Sequence, residues 1–116
     1  TDLVEIMLAC IDSKLNTIKV EWENSSACCV VLASKGYPGH YPKGLPITGI
    51  TEAEKISDVV VFHSGTKSLD GKIVTNGGRV LGVSATGGNL DEALKKAYAA
   101  VDIINFDGKQ FRKDIA

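Results

Sequence analysis

The chain has 116 residues, 44% of them hydrophobic and 23% charged, with a formal net charge of −1 at pH 7. This is the balance of one ordinary globular domain, able to bury about 65% of its unfolded surface, and it argues against nucleic acid or an anionic membrane as the main partner. No apolar run approaches the ~20 residues of a membrane span, and no signal-peptide pattern is present.

The first element is a helix over Asp2–Ser13. Asp2 and Glu5 have the spacing of a capping box, and Leu3, Ile6, Met7, Cys10 and Ile11 recur on one face, which is expected to be buried. There is no initiator Met, and the expectation is of a domain excised from a longer chain, with residues 1–13 at its junction; removal of Met or of a leader is the alternative. Ile18, Val20 and Trp22 alternate with Lys19, Glu21 and Glu23, as in a half-buried strand. Asn24-Ser25-Ser26 turns it into a second strand, Ala27–Ala33, so that the two make a hairpin. The three cysteines, Cys10, Cys28 and Cys29, lack C-x-x-C spacing and form neither a disulfide framework nor a zinc site. They read as small buried residues in a reducing cytoplasm.

Ser34–Pro46 holds all three prolines of the chain and reads as a loop with specified turns, including one at Tyr37-Pro38-Gly39. Ile47–Ile50 is a candidate short strand, and Thr51 with Glu54 caps a single-turn helix ending near Ile56. Val59–His63 is a buried strand ended by Ser64-Gly65-Thr66. Ser68-Leu69-Asp70-Gly71 is a hairpin turn into Lys72–Thr75. Asn76-Gly77-Gly78 turns again into Arg79–Ala85. Asn89 and Glu92 cap a final helix with an apolar stripe of Leu90, Ala93, Leu94, Ala97, Val101 and Ile104, and with Lys95 and Lys96 opposite. Gly108 closes the next turn, and Lys109–Ala116 is a polar tail. The expected fold class is α+β: a largely antiparallel sheet, rich in hairpins, with flanking helices on one face.

Stand-alone catalytic sets are missing. Gly65-Thr66-Lys67-Ser68 lacks the spacing of a P-loop, no G-x-G-x-x-G occurs, and His40 and His63 share no H-E-x-x-H. No acidic cluster has metal-ligand spacing, so a metal site within the chain is not expected. What survives is a set of strand ends: Lys35 to Gly39 (with Gly36 and Tyr37), His63 to Lys67, and Gly77 to Arg79. Each mixes glycine with a cation or hydroxyl. If they meet, they form an anion-binding rim of backbone N–H groups and cations. Taken alone, Gly77-Gly78-Arg79 is more simply a turn followed by an arginine paired with an acidic neighbour.

Four stretches also stand in a telling order: Ala33-Ser34-Lys35-Gly36-Tyr37-Pro38-Gly39, Val61-Phe62-His63-Ser64-Gly65-Thr66, Gly77-Gly78-Arg79-Val80-Leu81-Gly82-Val83 and Phe111-Arg112-Lys113-Asp114-Ile115. In them the whole chain resembles the C-terminal domain of the phosphoribosylamine–glycine ligases (glycinamide ribonucleotide synthetases), ATP-grasp enzymes of de novo purine synthesis. It departs mildly, with Ser64 where Ala is common and Ala116 where Gly is common. The resemblance implies a cytoplasmic ligase that uses ATP and Mg²⁺ (or Mn²⁺) to join glycine to 5-phosphoribosylamine. The nucleotide and metal sites would lie in domains outside this chain, which would hold no cofactor and be inactive alone.

Related purine-pathway enzymes of the ATP-grasp type have a Gly-Lys pair and a strand opening with Arg that hold a ribose 5-phosphate. By that similarity Lys67 and Arg79 would clamp the substrate phosphate, helped by Gly77, Gly78, Gly65 and Thr66, with Lys35, Gly36, Tyr37 and His63 as further loop contacts. The alternatives are a binding module for a phosphorylated metabolite without chemistry, and a structural lid whose glycines serve turns only.

Overall fold

The strand Arg79–Gly87 is the axis of the molecule. In a computed structural model describing residues 1–115, it lies between Ser26–Ala33 (β1) and Val59–His63 (β2), antiparallel to both. Thr66–Leu69 (β3) and Lys72–Thr75 (β4) form a separate two-stranded sheet, so Arg79–Gly87 is β5 in chain order. Three helices accompany them: α1 (Leu3–Ile11), α2 (Ile50–Ala53) and α3 (Leu90–Ile103). The α+β class holds, and α2 and α3 pack on one side of the larger sheet, whereas α1 does not. Ala116, at which the family-like ending departs, lies outside the described residues.

Each strand of the larger sheet buries alternate residues, as the two-residue period requires, except at Val80 and Leu81 of β5. Val30 and Leu32 of β1, Val59 and Val61 of β2, and Leu81, Val83 and Ala85 of β5 point to one face. There α3 lays Ala97, Ala100 and Val101 against them, and Ile104 and Phe106 complete the core. The other face is open: Val31, Val60 and Phe62 are all exposed. β2 is therefore buried on one side only, not throughout as its continuous apolar run suggests.

The α3 cap forms as its spacing requires. Asn89 Oδ1 accepts from the Glu92 N–H at 2.9 Å, and the Glu92 carboxylate accepts from the Gly88 N–H at 3.0 Å. Leu90, at the end of the stripe, stays exposed. Lys96 reaches back to Asp58, at the entrance to β2, with Nζ 2.7 Å from Oδ2, and also donates to the Thr86 carbonyl at 3.1 Å. That hydrogen bond, and then the lysine charge, hold the Asp58 carboxyl below the ordinary range. A depressed carboxylate pKa stabilises the fold above the unfolded value, about 3.9, and the contribution is lost as pH falls through the lower folded value. Urea unfolding at pH 7 and pH 3 is expected to show a shallower acid loss in Lys96→Met than in the parent chain; an equal loss would remove this pair from the acid response.

The Asp70-Gly71 hairpin is as expected, with φ of 50° and 75° at its two central residues, the signature of a type I′ turn. The Gly108 turn closes through the Lys109 N–H to the Phe106 carbonyl at 3.2 Å.

Several expectations fail, for physical reasons. The alternating run Ile18–Trp22 forms no strand and no hairpin with β1; Trp22 is 90% exposed. The edge of β1 it was expected to occupy is instead bridged, at Ala33, by Gln110. The apolar face of α1 is likewise uncovered, with Ala9 its sole buried residue, and its main contact is a 3₁₀ turn at Leu15–Thr17. The radius of gyration, 16.9 Å, exceeds the about 13 Å of a compact chain of this length, because this N-terminal part lies off the body. Cys10 and Cys29 are exposed, and Cys28 is half-buried with its thiol pKa raised first by burial and then by Cys29. Residues 47–50 make only an isolated bridge, Thr48 to Asn105, and Pro46 bridges Val74 on β4. The short helix starts at Ile50 after Gly49, without the Thr51–Glu54 box, because the Glu54 carboxylate faces the Val61 N–H at 3.4 Å.

Candidate functional site

The register of β5 decides where Arg79 points. Leu32 faces Leu81, but the next residue of β1, Ala33, faces Arg79 rather than Val80. Val80 is thus an extra residue, a β-bulge of the kind that re-aims a side chain. Were Val80 to continue the plain alternation of the strand, Arg79 would share the covered face with Leu81 and Val83. With the bulge, Val80 is fully buried beside Leu81, and Arg79 emerges on the open face. There it lines two adjoining cavities. One, of about 360 Å³, is bounded by Val31, Ala33, Tyr37, Gln110, Phe111 and Arg112; the other, of about 290 Å³, by Val31, Phe62, Ser64 and Gly82. Among the described residues Arg79 has no acidic partner. The reading of it as a turn arginine held by a neighbouring carboxylate therefore fails.

The glycines of the site do bring loops together, but what they approach is other backbone and one ring. A Cβ on Gly65 would overlap the Arg79 carbonyl oxygen and stand 2.6 Å from the Gly77 Cα; one on Gly78 would overlap the edge of the Tyr37 ring. Hence the 63–67, 77–79 and 35–39 segments meet in one corner. Hydrogen bonds lock it: Asn76 N–H to the Gly65 carbonyl at 2.7 Å, and the Ser64 and Gly65 N–H groups to the Val80 carbonyl, each at 3.1 Å. Ser34, buried, donates through its N–H to the Gly78 carbonyl at 2.8 Å and through its hydroxyl to the Gly77 carbonyl at 2.9 Å. The carbonyls of the glycine pair are thus tied down, while their N–H groups donate to no group among the described residues.

The other sequence-chosen residues are spread around this corner. His63 is exposed, its Nδ1 2.9 Å from the Thr66 hydroxyl. Gly36 lies in a turn closed by the Tyr37 N–H to the Ser34 carbonyl at 3.1 Å, and the stem of Lys35 rests against Gly108. Lys67 stands on β3 opposite Val74, exposed, and lines neither cavity that Arg79 lines.

Sequence reasoning overlooked the wall supplied by the tail. Gln110 and Ala33 exchange backbone hydrogen bonds at 2.7 and 2.9 Å, so the tail runs beside β1. Tyr98 then donates its hydroxyl to the Arg112 carbonyl at 3.0 Å and packs its ring on Phe111. Arg112 is gripped by Asp114 through two bonds, Nε to Oδ1 at 2.9 Å and Nη2 to Oδ2 at 2.6 Å. That fork raises the Arg112 pKa and holds the Asp114 carboxyl below its ordinary range. The signal was in view, in Phe111–Ile115, but nothing local ties that motif to a site some thirty positions earlier. Among the described residues no three of His, Cys, Asp and Glu cluster as a metal-ligand set. Nor does any helix have the length and apolarity to cross a membrane.

The corner therefore brings together Arg79, Arg112, the glycine-pair N–H groups and an apolar surface, and its one hydroxyl–imidazole contact among the described residues is Thr66 with exposed His63. Residues 27–116 match the family model for "Phosphoribosylglycinamide synthetase, C domain". The chain is 48% identical, over its full length, to 27% of a phosphoribosylamine–glycine ligase of Caldanaerobacter subterraneus. Over 99% of its length it is 52% identical to 12% of a trifunctional purine biosynthetic protein of Gallus gallus. A crystal structure of phosphoribosylamine–glycine ligase from Thermotoga maritima superposes with a TM-score of 0.76 and 37% identity, over 97% of this chain and 28% of that one. The chain thus spans about a quarter of the bacterial relatives' length. By the family match, made over most of its residues, it belongs to the phosphoribosylglycinamide synthetase C-domain family.

Proposed function

We propose that this chain is the substrate-binding C-terminal part of an ATP-dependent ligase that joins glycine to 5-phosphoribosylamine, giving glycinamide ribonucleotide in purine synthesis. In that reaction ATP activates the glycine carboxylate as an acyl phosphate, which the substrate amine attacks. This domain supplies no reacting group. Its part is to hold the ribose 5-phosphate so that the amine meets the activated carboxylate. Arg79 grips the phosphate, Lys67 adds a second charge from β3, and Gly77 and Gly78 offer N–H groups. Gly65 and Thr66 fix the spacing of the corner, and Lys35, Gly36, Tyr37 and His63 are rim positions.

The observation that carries this reading is the bulge at Val80, which turns an arginine without a carboxylate partner onto the open face beside two free N–H groups. Among the described residues no three of His, Cys, Asp and Glu cluster, and the proposal assigns metal and nucleotide to the remaining domains of the same ligase. The exposed apolar residues of the open face and of α1 are suited to packing against those domains, with α1 at the junction. The proposed location is the cytoplasm, although one relative, from Arabidopsis thaliana, is chloroplastic.

Steady-state kinetics of the full-length ligase test the reading. Arg79→Met is expected to raise the KM for phosphoribosylamine at least about tenfold, with those for ATP and glycine unchanged. Lys67→Met is expected to raise the same constant by a smaller factor. An equal rise in all three constants, or none for phosphoribosylamine, would overturn it.

A further inference from the structure

Resting on the phosphate reading above, we infer that the second guanidinium of the anion site is Arg112, supplied by the C-terminal tail. Arg79 and Arg112 line the same cavity of about 360 Å³, whose floor is Val31, Ala33 and Phe111. The tail reaches it by a defined route. Ala33 pairs with Arg79 on one side and bridges Gln110 on the other, so Arg79, Ala33 and Gln110 stand side by side across three adjacent segments. Arg112 follows two positions beyond Gln110.

The arginine is also held ready. Asp114 takes one hydrogen from Nε and one from Nη2, which leaves three of the five guanidinium N–H donors free. The Tyr98 hydroxyl holds its main chain. A guanidinium already fixed by a fork loses little freedom when it meets a ligand. Two guanidinium groups on one cavity match the several accepting oxygens of a tetrahedral phosphomonoester, two of which a planar guanidinium can take at once, and the apolar floor suits the carbon skeleton of its sugar. Asp114 partly offsets the added charge. The tail therefore selects a phosphorylated sugar by geometry as well as by charge.

The test uses the full-length ligase, with ribose 5-phosphate as a competitive inhibitor against phosphoribosylamine. Arg112→Gln is expected to raise the inhibition constant of ribose 5-phosphate about tenfold, and the KM for phosphoribosylamine with it, leaving the KM for ATP and for glycine unchanged. A purely structural role would move all of them. If Arg112→Gln stays within about twofold of the parent while Arg79→Gln weakens ribose 5-phosphate, this inference fails and the phosphate reading stands. If neither variant changes it, the phosphate reading itself fails. Should Arg112→Gln melt lower than the parent, Arg112→Lys decides: a loss confined to ribose 5-phosphate and phosphoribosylamine supports the inference, and no loss overturns it.

Discussion

Gly65→Ala is expected to destabilise the chain by about 3–5 kcal/mol, far more than one methyl group ordinarily costs. The added carbon would overlap the Arg79 carbonyl oxygen and stand 2.6 Å from the Gly77 Cα and 2.9 Å from the Gly77 nitrogen. All three are backbone atoms, so no side chain can rotate away. Relief requires the corner after β2 to part from the corner before β5. That movement breaks the bond from the Asn76 N–H to the Gly65 carbonyl and the bond from the Gly65 N–H to the Val80 carbonyl. Gly88→Ala is the matched control: its new methyl meets only the Glu92 carboxylate, at 3.3 Å, and is expected to cost under about 1 kcal/mol. Urea unfolding of both variants checks this; similar small losses would mean that the two corners are not in fixed contact. The same contact sets the spacing from β3 to Arg79, so damage here should reach binding as well as stability.

The second large effect separates the faces of the main sheet. Leu81 is fully buried on the central strand, packed between β1, β2 and α3, and Leu81→Ala is expected to cost about 2–5 kcal/mol, from lost burial and the cavity left behind. Phe62 lies on the opposite face of the neighbouring strand and is 58% exposed. Phe62→Ala in this chain is expected to cost under about 1 kcal/mol, although phenylalanine is the larger side chain. Comparable losses would show that both faces are covered. In the full-length ligase, by contrast, docking of another domain on the open face would make Phe62→Ala the costlier change for assembly.

Local chemistry made much of this fold readable beforehand. Asn89 and Glu92 form a cap because both partners lie within one turn, and Asp70-Gly71 forms its hairpin because the turn needs only two positive φ values. β1, β2, β4 and β5 follow from short apolar runs between turn residues, and α3 from its stripe. Partner choice was not readable. Ile18, Val20 and Trp22 alternate like a strand, yet alternation specifies a face and not a neighbour, and the edge they were expected to pair with is bridged by Gln110. The α1 stripe misled similarly, since an apolar face implies burial without saying that the burying surface lies in the same chain. At the site, the sequence singled out Gly77-Gly78-Arg79 but not the direction in which the arginine points, because a bulge leaves no mark in composition. Arg112 escaped because its relation to Arg79 exists only through Ala33.

The extra residue at Val80 also sets which changes in length β5 tolerates. Removing Val80 would return the strand to plain alternation and leave Arg79 on the open face, at the loss of one buried valine. Removing Gly82, only two positions further on, would exchange the inward and outward sets between Arg79 and Leu81 and turn the arginine toward α3. Two neighbouring single-residue deletions would thus have opposite consequences, one sparing the site and the other inverting it.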